Sequence, residues 1–97
     1  MKQRINVLVL NEKDTVGVAM DDLRAGDIGV YLLAGKKYEV NVVQDIPIYH
    51  KMALTAMLEG EHAYKYGQEI GRVTLDITAG QHVHSHNLIS IREGVNE

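Results

Sequence analysis

The residues most able to do chemistry are His82, His84 and His86, in the run Gly80-Gln81-His82-Val83-His84-Ser85-His86-Asn87. Their spacing is i, i+2, i+4. In a strand, alternate side chains share a face, so the imidazoles would stand about 7 Å apart along it. Neutral imidazole is the commonest metal ligand and titrates near neutrality. The row therefore points to a first-row transition-metal site or to acid–base work. A solvated strand face, or a strand running into a loop, would look the same. In a helix the rings would scatter, so the reading depends on extended geometry. There is no cysteine, and a closed structural zinc site needs four protein ligands. An open site fits better, completed by water, substrate or another chain.

Other candidates are weaker. His50-Lys51 follows the Pro47 turn, and Lys65-Tyr66-Gly67 precedes the Ile70-Gly71-Arg72 segment. Lys51, Lys65 and Arg72 offer cations to an anionic ligand, although any single one is more simply a surface charge. His62 reads as a surface residue. No Ser/His/Asp signature, glycine-rich phosphate loop or paired acidic dyad occurs.

Several elements could position these groups. A chain of 97 residues makes one small domain, here spanning 1–97 with a core from about 5 to 91 and a loose polar tail at 92–97. Phe and Trp are absent, so the core must be aliphatic, with Tyr at its rim. The net charge of -3 with dispersed Lys and Arg argues against nucleic acid. No apolar run approaches a membrane span, and the expected location is cytoplasmic. Short alternating or aliphatic runs predict strands at Ile5–Leu10, Thr15–Ala19, Ile28–Leu33, Lys37–Val43, Ile70–Ile77 and His82–Ile91. Ala34-Gly35-Lys36 predicts a hairpin turn, and Pro47 an edge or turn. Lys51–Glu59 (KMALTAMLE) predicts one or two helical turns ending at Gly60. A weak repeat, Asp22-Leu23-Arg24-Ala25-Gly26-Asp27, Ala56-Met57-Leu58-Glu59-Gly60-Glu61 and Asp76-Ile77-Thr78-Ala79-Gly80-Gln81, predicts corners that tuck an aliphatic residue inward and reverse at glycine.

Taken together, His50-Lys51-Met52-Ala53-Leu54, Gly60-Glu61, Lys65 to Arg72 and Asp76 to Asn87 resemble the SAF-type N-terminal domain of the altronate/galactarate dehydratase family. Asp14 to Ala19 and Asp22 to Gly26 resemble the start of that domain. The resemblance covers nearly the whole chain. It implies a mainly β, β-clip fold of many short strands, and a part in metal-dependent removal of water from sugar acids. It also implies Fe²⁺ or Mn²⁺, with Zn²⁺ as the other option, and a large catalytic subunit or domain as partner. His82, His84 and His86 are then the metal candidates, His84 and His86 the catalytic ones, and His50, Lys51 and Lys65 the contacts to an anionic sugar acid. A homo-oligomer is left open. Two other readings stand beside this one: the small subunit of (2R)-sulfolactate sulfo-lyase, and a non-catalytic SAF-type ligand-binding module. The sequence departs from the family pattern at Tyr49, where glycine is usual before His-Lys, at His62-Ala63, and at Gln81, where glutamate usually precedes His82.

Overall fold

The structure, a computed structural model, describes residues 4–90. The tail expected at 92–97 lies outside the described residues, as does Ile91. Among the described residues nine strands form: β1 (Val7–Leu8), β2 (Val16–Ala19), β3 (Ile28–Leu33), β4 (Lys36–Asn41), β5 (Lys51–Ala53), β6 (His62–Lys65), β7 (Gln68–Val73), β8 (His82–Val83) and β9 (Leu88–Ser90). The four-stranded sheet runs β1-β2-β5-β8, beside a β3-β4 hairpin and a three-stranded β6-β7-β9 sheet. All pairings are antiparallel.

The four-stranded sheet is covered on both faces, because alternate residues of its strands enter different cores. Met52 joins Val7, Ala19, Leu23, Val42 and Ile46 in one core. Its neighbour Ala53 joins Val16, Met57, Val73, Ile77 and Val83 in the other. Ile46, Met52, Met57 and Ile77 are fully enclosed, and each contributes about 2 kcal/mol through burial.

The expected helix over Lys51–Glu59 does not form. Lys51–Ala53 is a strand between β2 and β8, and the rest of the segment turns a corner. Helix propensity is a weak preference, and a segment this short does not hold a helix unaided. Burial of Met52 and Ala53 on opposite faces decides the matter. No helix occurs among the described residues. The predicted strand over Ile70–Ile77 stops at Val73 for a related reason: the next corner begins there. Sequence reading also passed over β6, which forms a hairpin with β7 through Tyr66-Gly67. Those two residues have φ of 56° and 79°, much as Ala34 and Gly35 in the β3-β4 turn have 52° and 79°.

The three repeated corners are real, and a fourth joins them. In Arg24–Asp27, Leu58–Glu61 and Thr78–Gln81 the last backbone N–H donates to the first carbonyl, and the last side chain accepts from the first N–H. The third position is Gly26, Gly60 or Gly80, with φ of 98°, 94° and 89°. The fourth corner, Pro47–His50, keeps the backbone bond and sets Tyr49 at the left-handed position with φ of 72°.

Corners clasp in pairs. Leu23 bridges Ile46, and Met57 bridges Ile77. The N–H groups of Gly26, Tyr49, Gly60 and Gly80 donate to the carbonyls of Val42, Ala19, Val73 and Ala53 respectively. In the first pair Asp45 accepts from the Ala25 N–H and Asp22 from the Ile48 N–H. In the second, Asp76 accepts from the Glu59 N–H, and Ala56 stands where the reciprocal carboxylate would be.

Two corner glycines should therefore respond differently to alanine. At Gly26 a Cβ meets nothing within 4 Å, whereas at Gly80 it would lie 1.9 Å from the Asn41 carbonyl oxygen. Gly26→Ala is expected to cost about 1 kcal/mol, from the left-handed backbone alone. Gly80→Ala should cost about 3 kcal/mol or more, because the backbone must also move. Urea unfolding of both variants checks this, and equal losses would refute it.

Candidate functional site

The site is assembled by one corner and one loop. At three corners the last side chain is tied to the N–H three residues earlier. Pro47 has no N–H, so the His50 ring is not held in its own corner. It reaches His82 instead, with His50 Nδ1 and His82 Nε2 2.9 Å apart. One nitrogen donates and the other accepts, according to tautomer.

His82, His84 and His86 do not line a continuous strand. β8 covers only His82–Val83, and the chain turns through His84–Asn87. Asn87, which sequence reading missed as a site residue, imposes the turn. Its side chain is buried, its Oδ1 accepts from the His84 N–H at 2.9 Å, and its Nδ2 donates to the His82 carbonyl at 3.0 Å. Such local side-chain bonds compete with the strand ladder. Gln44 adds a further tie, its Oε1 accepting from the His82 N–H at 3.0 Å.

The turn still gathers the rings. His50 and His84 stack with centroids 4.9 Å apart and planes 12° off parallel. His82 lies 5.0 Å from His50, 5.5 Å from His84 and 5.6 Å from His86. These separations are shorter than the 7 Å or so of a flat strand. The Ser85 hydroxyl lies 3.3 Å from His84 Nδ1. His62 takes no part, since it pairs with Glu69 across the β6-β7 hairpin.

Electrostatics keep His82 uncharged at neutrality. Burial, and then the neighbouring His50, His84, His86 and Lys51, hold His82 down to about 4. Lys51 is also lowered, first by burial and then by Lys65. Among the described residues the ion pairs are Arg4–Asp21 and His62–Glu69, so neither lysine has a carboxylate. Lys65 Nζ lies 5.1 Å over the Tyr66 ring. Two ammonium groups that disfavour each other, without an acid between them, favour an incoming anion.

Imidazoles that stay neutral at pH 7 are suitable donors for a divalent transition metal. The rings nevertheless stack rather than converge. Among the described residues no three His, Cys, Asp or Glu side chains are placed to hold one ion. His84 and His86 are exposed, while His50 and His82 are half-buried. The described concavities lie elsewhere: one of about 420 Å³ between Tyr31, Tyr38 and Leu54, and one of about 180 Å³ beside Leu23 and Ile46.

The His82 shift has a measurable consequence. Its value in the unfolded chain is about 6.5 and in the fold about 4, so between these the unfolded chain binds the extra proton. This stabilisation is complete above about pH 6.5 and is lost as pH falls toward 4. In an NMR titration the His82 ring should show a midpoint near 4, and the melting temperature should drop across that window. A midpoint near 6.5 would disprove the packing of His82 against its neighbours.

The sequence model of the altronate/galactarate dehydratase SAF domain matches residues 5–91. Altronate dehydratase of Escherichia coli is 41% identical over 75 residues, covering 76% of this chain and 14% of that protein. Altronate dehydratase of Bacillus subtilis is 33% identical over 78 residues, covering 80% and 15%. The (2R)-sulfolactate sulfo-lyase subunit alpha of Chromohalobacter salexigens is 36% identical over 87 residues, covering 87% of this chain and 93% of that subunit. The chain thus spans about one seventh of the dehydratases it matches and nearly all of the sulfo-lyase subunit. A mainly β chain with paired clip-like corners, matched along nearly its whole length, belongs to the altronate/galactarate dehydratase SAF domain family.

Proposed function

We propose that this chain is the small subunit or domain of a lyase that removes water from an anionic hydroxy acid of the altronate or galactarate type. The observation that carries the reading is the group of four imidazoles, His50, His82, His84 and His86, on an open face beside the unpaired cations Lys51 and Lys65. The reaction is a β-elimination. The proton α to the carboxylate is abstracted, the β-hydroxyl leaves as water after taking up a proton, and a carbon–carbon double bond forms.

Within this scheme Lys51, Lys65 and His50 hold the substrate carboxylate. His84 and His86 do the acid–base work on the face turned to solvent. His82 is unprotonated at neutrality and serves to orient His50 through the bond between them. Among the described residues no carboxylate pairs with a histidine of the cluster or with Lys51 or Lys65, and we assign the base for the α-proton to the large catalytic partner. A divalent ion, Fe²⁺ or Mn²⁺ ahead of Zn²⁺, would supply Lewis-acid activation of the hydroxyl. We assign His82, His84 and His86 as donors to it only together with ligands from that partner.

In the assembled enzyme, His84→Ala should lower turnover on altronate by about 10²-fold or more, and unchanged turnover would remove the assignment. Elemental analysis after dialysis against Fe²⁺ and Mn²⁺ should find a stoichiometric ion in the assembly and none in this chain alone. An ion retained by the His84→Ala/His86→Ala assembly would remove those two donors. A second reading, elimination of sulfite from sulfolactate, is favoured by the match across 93% of the sulfo-lyase subunit. Assaying sulfite release from sulfolactate against water loss from altronate separates the two.

A further inference from the structure

Tyr49 occupies a place where the other three corners have glycine. Its φ of 72° is left-handed, which costs a bulky residue about 1–2 kcal/mol and glycine almost nothing. The corner receives nothing from the side chain in return. Its hydrogen bond to the Ala19 carbonyl, 2.7 Å, is made by the backbone N–H and would survive in glycine. The ring is 70% exposed, the most exposed large apolar side chain among the described residues. Among the described residues it makes no side-chain hydrogen bond or ring contact.

The residues around it are apolar too. Ile48 precedes it, and Met20 follows Ala19, whose backbone bonds to both Tyr49 and His50; they are 37% and 42% exposed. Tyr and Met are enriched where proteins meet, and an aromatic anchor of this kind often dominates such a contact. A small polyhydroxylated acid offers no apolar surface to match Tyr, Met and Ile. A protein surface does, and Tyr49 adjoins His50, where the missing part of the active site must approach. The Escherichia coli and Bacillus subtilis dehydratases match this chain over 14% and 15% of their length.

We infer that Tyr49, flanked by Met20 and Ile48, anchors this chain to the large catalytic part of the enzyme. This inference rests on the lyase reading above. The chain has no cysteine, so a single thiol reports on one position. This chain is grafted in place of the segment it matches in the Escherichia coli altronate dehydratase, and Tyr49→Cys is compared with Glu59→Cys, exposed on a corner of the other clasped pair. Maleimide labelling at each position is read by peptide mass, in the free chain and in the graft. Labelling at position 49 should slow at least 10-fold in the graft, and labelling at position 59 should not. Equal labelling at position 49 in a graft that turns over altronate would overturn the inference and leave the lyase reading standing. No turnover with the wild-type graft would overturn both. In the free chain, Tyr49→Gly should raise the melting temperature by about 4 °C or more. No rise would refute the claim that Tyr49 is held at a cost to the fold.

Discussion

The clasp between paired corners is the constraint from which the rest follows. Short strands of two to six residues end often, and each end leaves backbone groups that cannot stay buried without partners. Each corner resolves this by donating its left-handed N–H to the strand that enters its partner. The clasp also brings Leu23 against Ile46 and Met57 against Ile77, so the same contact that satisfies the backbone seeds each core. With a core on either side, the four-stranded sheet needs no helix to cover it.

The proposed function uses the one corner that departs from this scheme. Where the first corner residue has an N–H, the last side chain is committed to it, as with Asp27, Glu61 and Gln81. Proline removes that donor, and the ring of His50 becomes available to the cluster. The cluster in turn is held by polar contacts rather than by packing. Asn87 and Gln44 tie down the backbone on either side of His82, and the rings stack above it. Uncharged imidazoles tolerate this proximity. Protonated ones would repel at about 5 Å, and this agrees with the direction in which His82 is shifted.

Much of this was legible in the chain. The i, i+2, i+4 histidines named most of the cluster, and Leu-Arg-Ala-Gly-Asp and its kin announced the corners. The strands at Val16–Ala19 and Ile28–Leu33 were readable because alternation there serves a buried face. The geometry of the histidine run was not. Alternation predicts a strand, but a single buried asparagine three residues beyond His84 outweighs the ladder, and nothing in its spacing declares that it is buried. Lys51–Glu59 was misread because strand alternation over three residues is too short to outweigh good helix formers on paper. The fourth corner was hidden by Tyr49 and Pro47, which erase the glycine and the polar cap that mark the other three. The departure at Tyr49 was visible as a substitution, and its meaning needed the backbone angle.

His50 belongs to both halves of the molecule. It closes the second corner, and β5 starts at the very next residue, with no linker between. The two halves therefore share a seam without slack, and the shared sheet binds them: β5 pairs with β2 from one side and with β8 from the other. Losing the β5-β8 pairing would part His82, His84 and His86 from His50 in a single event. Contacts this far apart in sequence form slowly compared with local ones. Assembly of the histidine cluster and the cooperativity of the fold are thus one transition, and a half-folded chain has no half-formed cluster.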